Sequence, residues 1–298
     1  MNGAHKRAKL ANTISVIVLY CVAGFFLLLL AAFTLYILCK GFYKFDFSIL
    51  SFGEDGIGQQ FFNTIYLVFL SLLISVPIGV AAGIYMAEYV SDGPVSHFAR
   101  TCIETLSSLP SIVVGLFGFL VFIEMTGSKW NLMSGALAVS ILNLPLIATV
   151  TEDALHSTPE RYKIGSLGIG ATHWQTIVHV LLPSCVPRII TGIILAAGRG
   201  FGEAAALLYT AGMGTDINFH NWNLASPTCP LNPFRPGETL ALQIWVSRTE
   251  SLAKNAGQVA DVSAAVLIIM VFAFSLGSRF VGRALEKKMT GSNKQGGN

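Results

Sequence analysis

Long apolar blocks separated by short polar interruptions dominate this chain. Six of them, 13–38, 61–89, 103–124, 132–150, 187–211 and 259–283, are predicted to cross a membrane. Each is close to the ~20 residues that a helix needs to cross a ~30 Å hydrocarbon layer. The pattern predicts an all-α polytopic bundle of about six transmembrane helices. The first block follows a basic start (His5, Lys6, Arg7, Lys9) and is too long for a signal-peptide core of about 7–15 residues, so it reads as an uncleaved span. Pro77 and Pro145 fall inside the second and fourth blocks and predict kinks. Gly79-Val-Ala-Ala-Gly83 and Gly198-Arg-Gly-Phe-Gly202 are small-residue patterns that let helix backbones approach closely.

Two connections between the blocks are long. In 151–186, Ser157-Thr-Pro-Glu160 is a helix start with Pro159 suited to its first turn. Gly168 and Gly170 then break the chain. Thr172-His-Trp-Gln175 has the form of a capping box, opening a second short helix from Trp174 to about Leu182 that stops near Pro183. The other connection, 212–257, is rich in Asn, Pro and Gly and reads as partly irregular, with a helix around 239–249. The organisation that follows is an N-terminal segment 1–12, a membrane domain 13–283 and a polar tail 284–298.

Composition agrees with the pattern. Hydrophobic residues make up 53% of the chain and charged residues 12%, about half of what a soluble domain carries. The net charge of +3 matters less than its distribution. Lys and Arg number twelve on the side of both termini and of 151–186, against six on the other side. By the positive-inside rule both termini and the 151–186 loop are cytoplasmic and 212–257 is periplasmic, in a multi-pass protein of the inner (plasma) membrane. The five cysteines have no metal-type spacing and read as small buried hydrophobes, with a Cys39–Cys229 disulfide left open by their shared side.

Motifs of chemistry are missing. The chain has no phosphate-cradling loop, not even a Gly-Lys pair, so it does not bind ATP in that way. It has no H-E-x-x-H, no Cys pair at x2 spacing and no G-x-S-x-G, and the reading is a protein without catalytic residues, metal or cofactor. One pair of charges falls deep in a span: Arg199 and Glu203, four residues apart. A charge at the bilayer centre costs at least about 2.5–3.5 kcal/mol, so neither faces lipid unpaired. Two readings stay open, a mutually neutralising pair that locks the bundle or the polar lining of an anion path. In the second, the Arg199 fork matches a multi-acceptor oxyanion such as phosphate.

The loop 151–186 carries a resemblance. Importer permeases of the ABC class have a cytoplasmic pattern E-A-A-x3-G-x9-I-x-L-P. Here Gly170 is followed at that spacing by Val180, Leu181, Leu182 and Pro183, while Ile164, Gly165 and Ser166 stand where Glu-Ala-Ala would. With Ala171 and Thr172 these residues form the coupling turn that the resemblance implies, a knob seated in a groove of an ATPase. Finer stretches resemble phosphate-importer permeases of the PstA type. They are Asn63-Thr-Ile-Tyr-Leu, Pro77-Ile-Gly-Val, Ile84-Tyr-Met-Ala-Glu-Tyr89, Leu109-Pro-Ser-Ile-Val-Val-Gly-Leu116, Gly198-Arg-Gly-Phe-Gly-Glu-Ala-Ala-Ala-Leu-Leu208 and Pro236-Gly-Glu-Thr-Leu-Ala241. Ala204 and Ala206 replace that family's Thr and Pro. The resemblance implies a type I importer fold and three partners. These are a second homologous permease subunit (PstC-type), a pair of ATP-binding subunits (PstB-type) and a periplasmic phosphate-binding protein (PstS-type), docked in part on 212–257. Nucleic acid is not among the partners. An ABC permease for molybdate, sulfate or a polyamine is the competing reading, and a stand-alone channel or secondary transporter a more distant one.

Overall fold

A computed structural model of the chain describes residues 2–43, 46–53, 56–90, 93–214, 216–250 and 255–289. All regular structure among them is helical. In order the helices are α1 (Asn2–Phe42), α2 (Gly58–Glu88), α3 (Pro94–Ser108), α4 (Ser111–Gly118), α5 (Leu132–His156), α6 (Glu160–Gly168), α7 (His173–Thr176), α8 (Leu182–Phe201), α9 (Ala205–Thr210), α10 (Leu240–Thr249) and α11 (Ala256–Met289). Five helical runs are long and apolar enough to cross a membrane, and a sixth crossing is made if the bent pair α3–α4 is counted as one.

That bend corrects the third predicted span. The apolar run 103–124 is not one rod: the helices on either side of Leu109-Pro110 meet at 98°. Pro110 holds Leu109 extended (ψ 131°), because a proline ring crowds the helical conformation of the residue before it. The fifth span also differs. Its helix ends at Phe201 and resumes only at Ala205, so 187–211 is two pieces. At its other end it reaches further than Pro183, where the sequence suggests a stop. A π turn over Ile177–Leu181 links α7 to α8, and its wider ladder accommodates Pro183 in the first turn of α8. Pro77 and Pro145 lie within unbroken α2 and α5.

The core is the pairing of α2 with α5, crossed by α8. Gly83 is the reason α2 sits so close: a Cβ there would lie 2.6 Å from the Ala148 carbonyl oxygen, and one on Gly79 2.8 Å from Ile147. The first small-residue pattern therefore works as predicted. The second does not, since a Cβ on Gly198 would meet nothing and one on Gly202 only the Arg199 carbonyl. The close approaches of α8 use Gly192 against Val150 and Gly200 against Val68 instead. Helix α1 packs along α11, where Lys40 and Arg248 both pair with Asp261, and most of its surface is exposed as suits contact with lipid. All five cysteines are free, with Cys39 exposed and Cys229 buried, so the open Cys39–Cys229 bridge is not formed.

The described part of the connection 212–257 is irregular up to Thr239, which caps α10, the helix expected around 239–249, through its hydroxyl. What organises it is the first two turns of α2. Gln59 donates to the Phe52 carbonyl (2.8 Å) and accepts from Ile217 N–H (3.2 Å). Asn63 donates to the Glu238 carbonyl (3.0 Å), and Thr64 accepts from Leu240 N–H (2.9 Å). Side-chain amides and hydroxyls thus supply the backbone partners that a loop without strands lacks.

Candidate functional site

Helices α6 and α7 form the knob. Gly170 turns the chain between them at φ +90°, a left-handed conformation that costs a residue with a side chain about 1 kcal/mol or more. Thr172 caps α7 in a complete capping box with Gln175. Ser166 on α6 and Thr176 on α7 are buried and joined by their hydroxyls at 2.9 Å, and Ala171 N–H donates back to the Ser166 carbonyl. Gly165 is on the outer side of α6 with open space around it. Val180 lies in the π turn, and Leu182 packs on the base of the knob, which is a buried cluster of Ala154, Leu155, Ile177, Leu181 and Cys185. Pro183 lines a neighbouring cavity of about 720 Å³. The residues singled out in the sequence are therefore brought together in one unit. At its tip Ile169 is 87% exposed and Ile164 and Trp174 stand out beside it, an apolar end left uncovered by the described residues.

One carboxylate ties this unit to the bundle and a second joins α3 to α5, and the sequence reasoning passed over both. Glu88 ends α2 with its side chain 8% exposed. Lys163 of α6 reaches it at 2.6 Å and His173 of α7 at 3.6 Å, with the His173 ring edge-on to Tyr89. Both halves of the knob thus hold the end of one membrane helix. Glu152 on α5 repeats the arrangement with Arg100 of α3 at 2.7 Å and His156 at 3.7 Å. A buried carboxylate needs such partners, since desolvation without them is expensive. The signal in the sequence was Glu88 and Glu152 themselves, acidic residues at the ends of apolar runs.

Arg199 and Glu203 are not the helical pair that their spacing implies. The helix stops at Phe201, Gly202 carries the chain out of it, and the Glu203 carboxylate turns to accept from Ala206 N–H at 3.1 Å. No ion pair joins them among the described residues. Arg199 stands exposed on the outer stripe of α8, and the break 202–204 places non-helical backbone midway along an apolar run. Such backbone is tolerated at membrane depth where protein or a water-filled cavity covers it.

A buried polar seam at the opposite end was missed as well. Arg235 is 1% exposed and is held by oxygens alone: Asn63 Oδ1 (2.7 Å) and the carbonyls of Cys229, Pro230 and Pro236 (each 3.1 Å). Burial pulls its pKa down to about 10. Glu238 lies 5% exposed with Gln60 Nε2 at 3.3 Å and Gln243 beside it, and burial pushes its pKa up to about 7. Polar letters in a loop give no hint of burial, so only the Pro236-Gly-Glu-Thr stretch pointed there.

Residues 79–291 match the family described as binding-protein-dependent transport system inner membrane component. The chain belongs to that family. It is an ABC importer permease, a transport subunit and a multi-pass membrane protein. It is 46% identical over 277 residues to the probable ABC transporter permease YqgI of Bacillus subtilis, covering 91% of this chain and 94% of that one. It is 34% identical over 226 residues to the phosphate transport system permease PstA of Xylella fastidiosa, covering 76% and 74%. Among solved structures the permease resembles a bacterial importer of the acidic polysaccharide alginate (TM-score 0.62, 16% identity, 91% and 95% covered). It also resembles the MetNI methionine transporter (TM-score 0.56, 17% identity, 77% and 94% covered). Likeness at that identity speaks for the type I importer fold.

Proposed function

We propose that this permease conducts inorganic phosphate across the inner membrane as one half of a heterodimeric pathway. The observation that carries the reading is the 34% identity with a permease named for phosphate transport. The chemistry agrees: Arg199, on the exposed stripe of α8 beside the helix break, offers a guanidinium fork to an oxyanion. In this reading the second half is a homologous PstC-type subunit that covers the stripe. A PstB-type ATPase pair receives the apolar tip of the knob 151–186, and a PstS-type binding protein delivers phosphate to the side of 212–257, with both termini in the cytoplasm. ATP binding closes the ATPases and biases the helices between inward- and outward-open states through the knob.

Uptake of radiolabelled phosphate at micromolar concentration, in cells with and without the chain, tests the substrate. Uptake should collapse without it and be restored by the wild-type gene, with excess sulfate or molybdate failing to compete. Unchanged uptake in the deletion, or competition by either anion, overturns the assignment. Arg199→Ala and Arg199→Lys test the path. Near-normal rates in both remove Arg199 from it.

A further inference from the structure

The exposed positions of α8 recur at helical spacing: Ser184, Arg188, Thr191, Leu195 and Arg199. The face about 100° round the helix, with Ile189, Gly192, Ala196 and Gly200, is buried against the bundle. The stripe that carries Arg199 therefore continues toward the cytoplasm and holds a second arginine. Eleven residues at about 1.5 Å rise put Arg188 roughly 16 Å below Arg199. At that level α8 and α11 enclose a cavity of about 350 Å³ lined by Arg188, Thr191, Leu195, Ser275, Ser278 and Arg279.

The lining is suited to an anion. No carboxylate takes part in it, and among the described residues none is within ion-pair distance of Arg188 or Arg279. One nitrogen of Arg188 donates to Ser157 Oγ, which fixes the guanidinium and leaves its other donors for a ligand. The hydroxyl protons of Thr191 and Ser278 go to the carbonyls of Pro187 and Ser275, so the two guanidinium groups supply the binding. A lone cation in a conduction path either traps its anion or must release it across a gap. Successive weak sites lower that step.

We propose that Arg188 and Arg279 form a second site for a phosphate group, at the cytoplasmic end of the face that begins at Arg199. The inference rests on the phosphate reading and extends it. The shared chemistry has two sources, free inorganic phosphate leaving Arg199 or the headgroup of an anionic phospholipid entering between α8 and α11 from the inner leaflet.

The test uses the assembled transporter in nanodiscs, with Thr191→Cys as a reporter and the exposed Cys21, Cys39 and Cys102 changed to Ser. The rate at which a neutral methanethiosulfonate labels position 191 is read by peptide mass. In phosphatidylcholine, inorganic phosphate should slow labelling several-fold, and Arg188→Gln with Arg279→Gln should abolish that protection. Protection only in phosphatidylglycerol without added phosphate, lost in the same variant, assigns the site to a lipid headgroup. Equal labelling in every condition, or protection that survives the double substitution, overturns the site. Phosphate uptake in the deletion strain separates the two ideas: a site that fails while uptake still depends on the chain leaves the transport reading standing.

Discussion

Replacing Glu238 by Gln should flatten the pH dependence of this protein's stability. In the folded chain the carboxyl is buried and its pKa stands at about 7, against 4.5 for the ordinary group. A raised carboxyl pKa means that the folded state holds its proton longer than the unfolded one does. The site costs nothing below about pH 4.5, where both states are protonated. Stability is lost as pH rises from there through about 7, and the loss then levels off because both states are ionised. A difference of about 2.5 pH units corresponds to about 3 kcal/mol, most of which falls between about pH 5 and about pH 8. Glutamine keeps an oxygen to accept from Gln60 and cannot ionise, so the variant escapes the loss. The assay is unfolding of the detergent-purified chain by increasing SDS at the two pH values, followed by the fluorescence of its tryptophans. Trp222 and Trp245 report from the same connection, 212–257. Wild type should lose about 2–3 kcal/mol more than the variant on going to the higher pH. A stability gap that is the same at both, within about 0.5 kcal/mol, refutes the buried-carboxyl account.

Glu88→Lys should uncouple transport, because it leaves Lys163 and His173 facing a cation. Adding Lys163→Glu should recover at least part of the uptake, and no recovery with normal membrane levels refutes a clamp that works through charge. Ile169→Asp, at the tip of the knob, should leave thermal stability within about 0.5 kcal/mol of wild type and reduce co-purification of the ATP-binding subunits. Undiminished co-purification would move the docking surface elsewhere. Gly83→Leu forces a side chain into the Ala148 carbonyl and should destabilise by at least about 1–3 kcal/mol, seen as loss of folded protein from the membrane fraction.

Apolar length alone made five helical runs legible, because a bilayer imposes both composition and extent on whatever crosses it. Local rules found the finer features whose cause is local. The Thr172–Gln175 capping box and the Gly170 turn both follow from residues within one turn of each other. The misses share the opposite property. Whether Arg199 meets Glu203 depends on where α8 ends, and Gly202 and Glu203 decide that by leaving the helix within an apolar run. The 98° bend at Leu109-Pro110 was readable from the proline, yet Pro77 and Pro145 read alike and lie in continuous helices. What separates them is the packing around each, with Pro145 buried in α5. The Arg235 and Glu238 seam escaped notice because burial of a loop is a tertiary fact, set by amides on α2 about 175 residues away in sequence.

Helix α2 is held at both ends, by Glu88 against the knob and by Asn63 in the polar seam. Roughly 25 residues separate them, about seven helical turns, so both side chains leave the helix in nearly the same direction. Its length is therefore a matter of phase as well as reach. One residue inserted between them would turn one end by about 100° against the other, and the two attachments could no longer be made together. On its exposed positions α2 therefore tolerates a change of residue better than a change of residue number. Leu73 itself is exposed, so a single-residue insertion beside it breaks the phase between Asn63 on one side and Gly79, Gly83 and Glu88 on the other, and would reveal this helix as a keyed shaft rather than a strut.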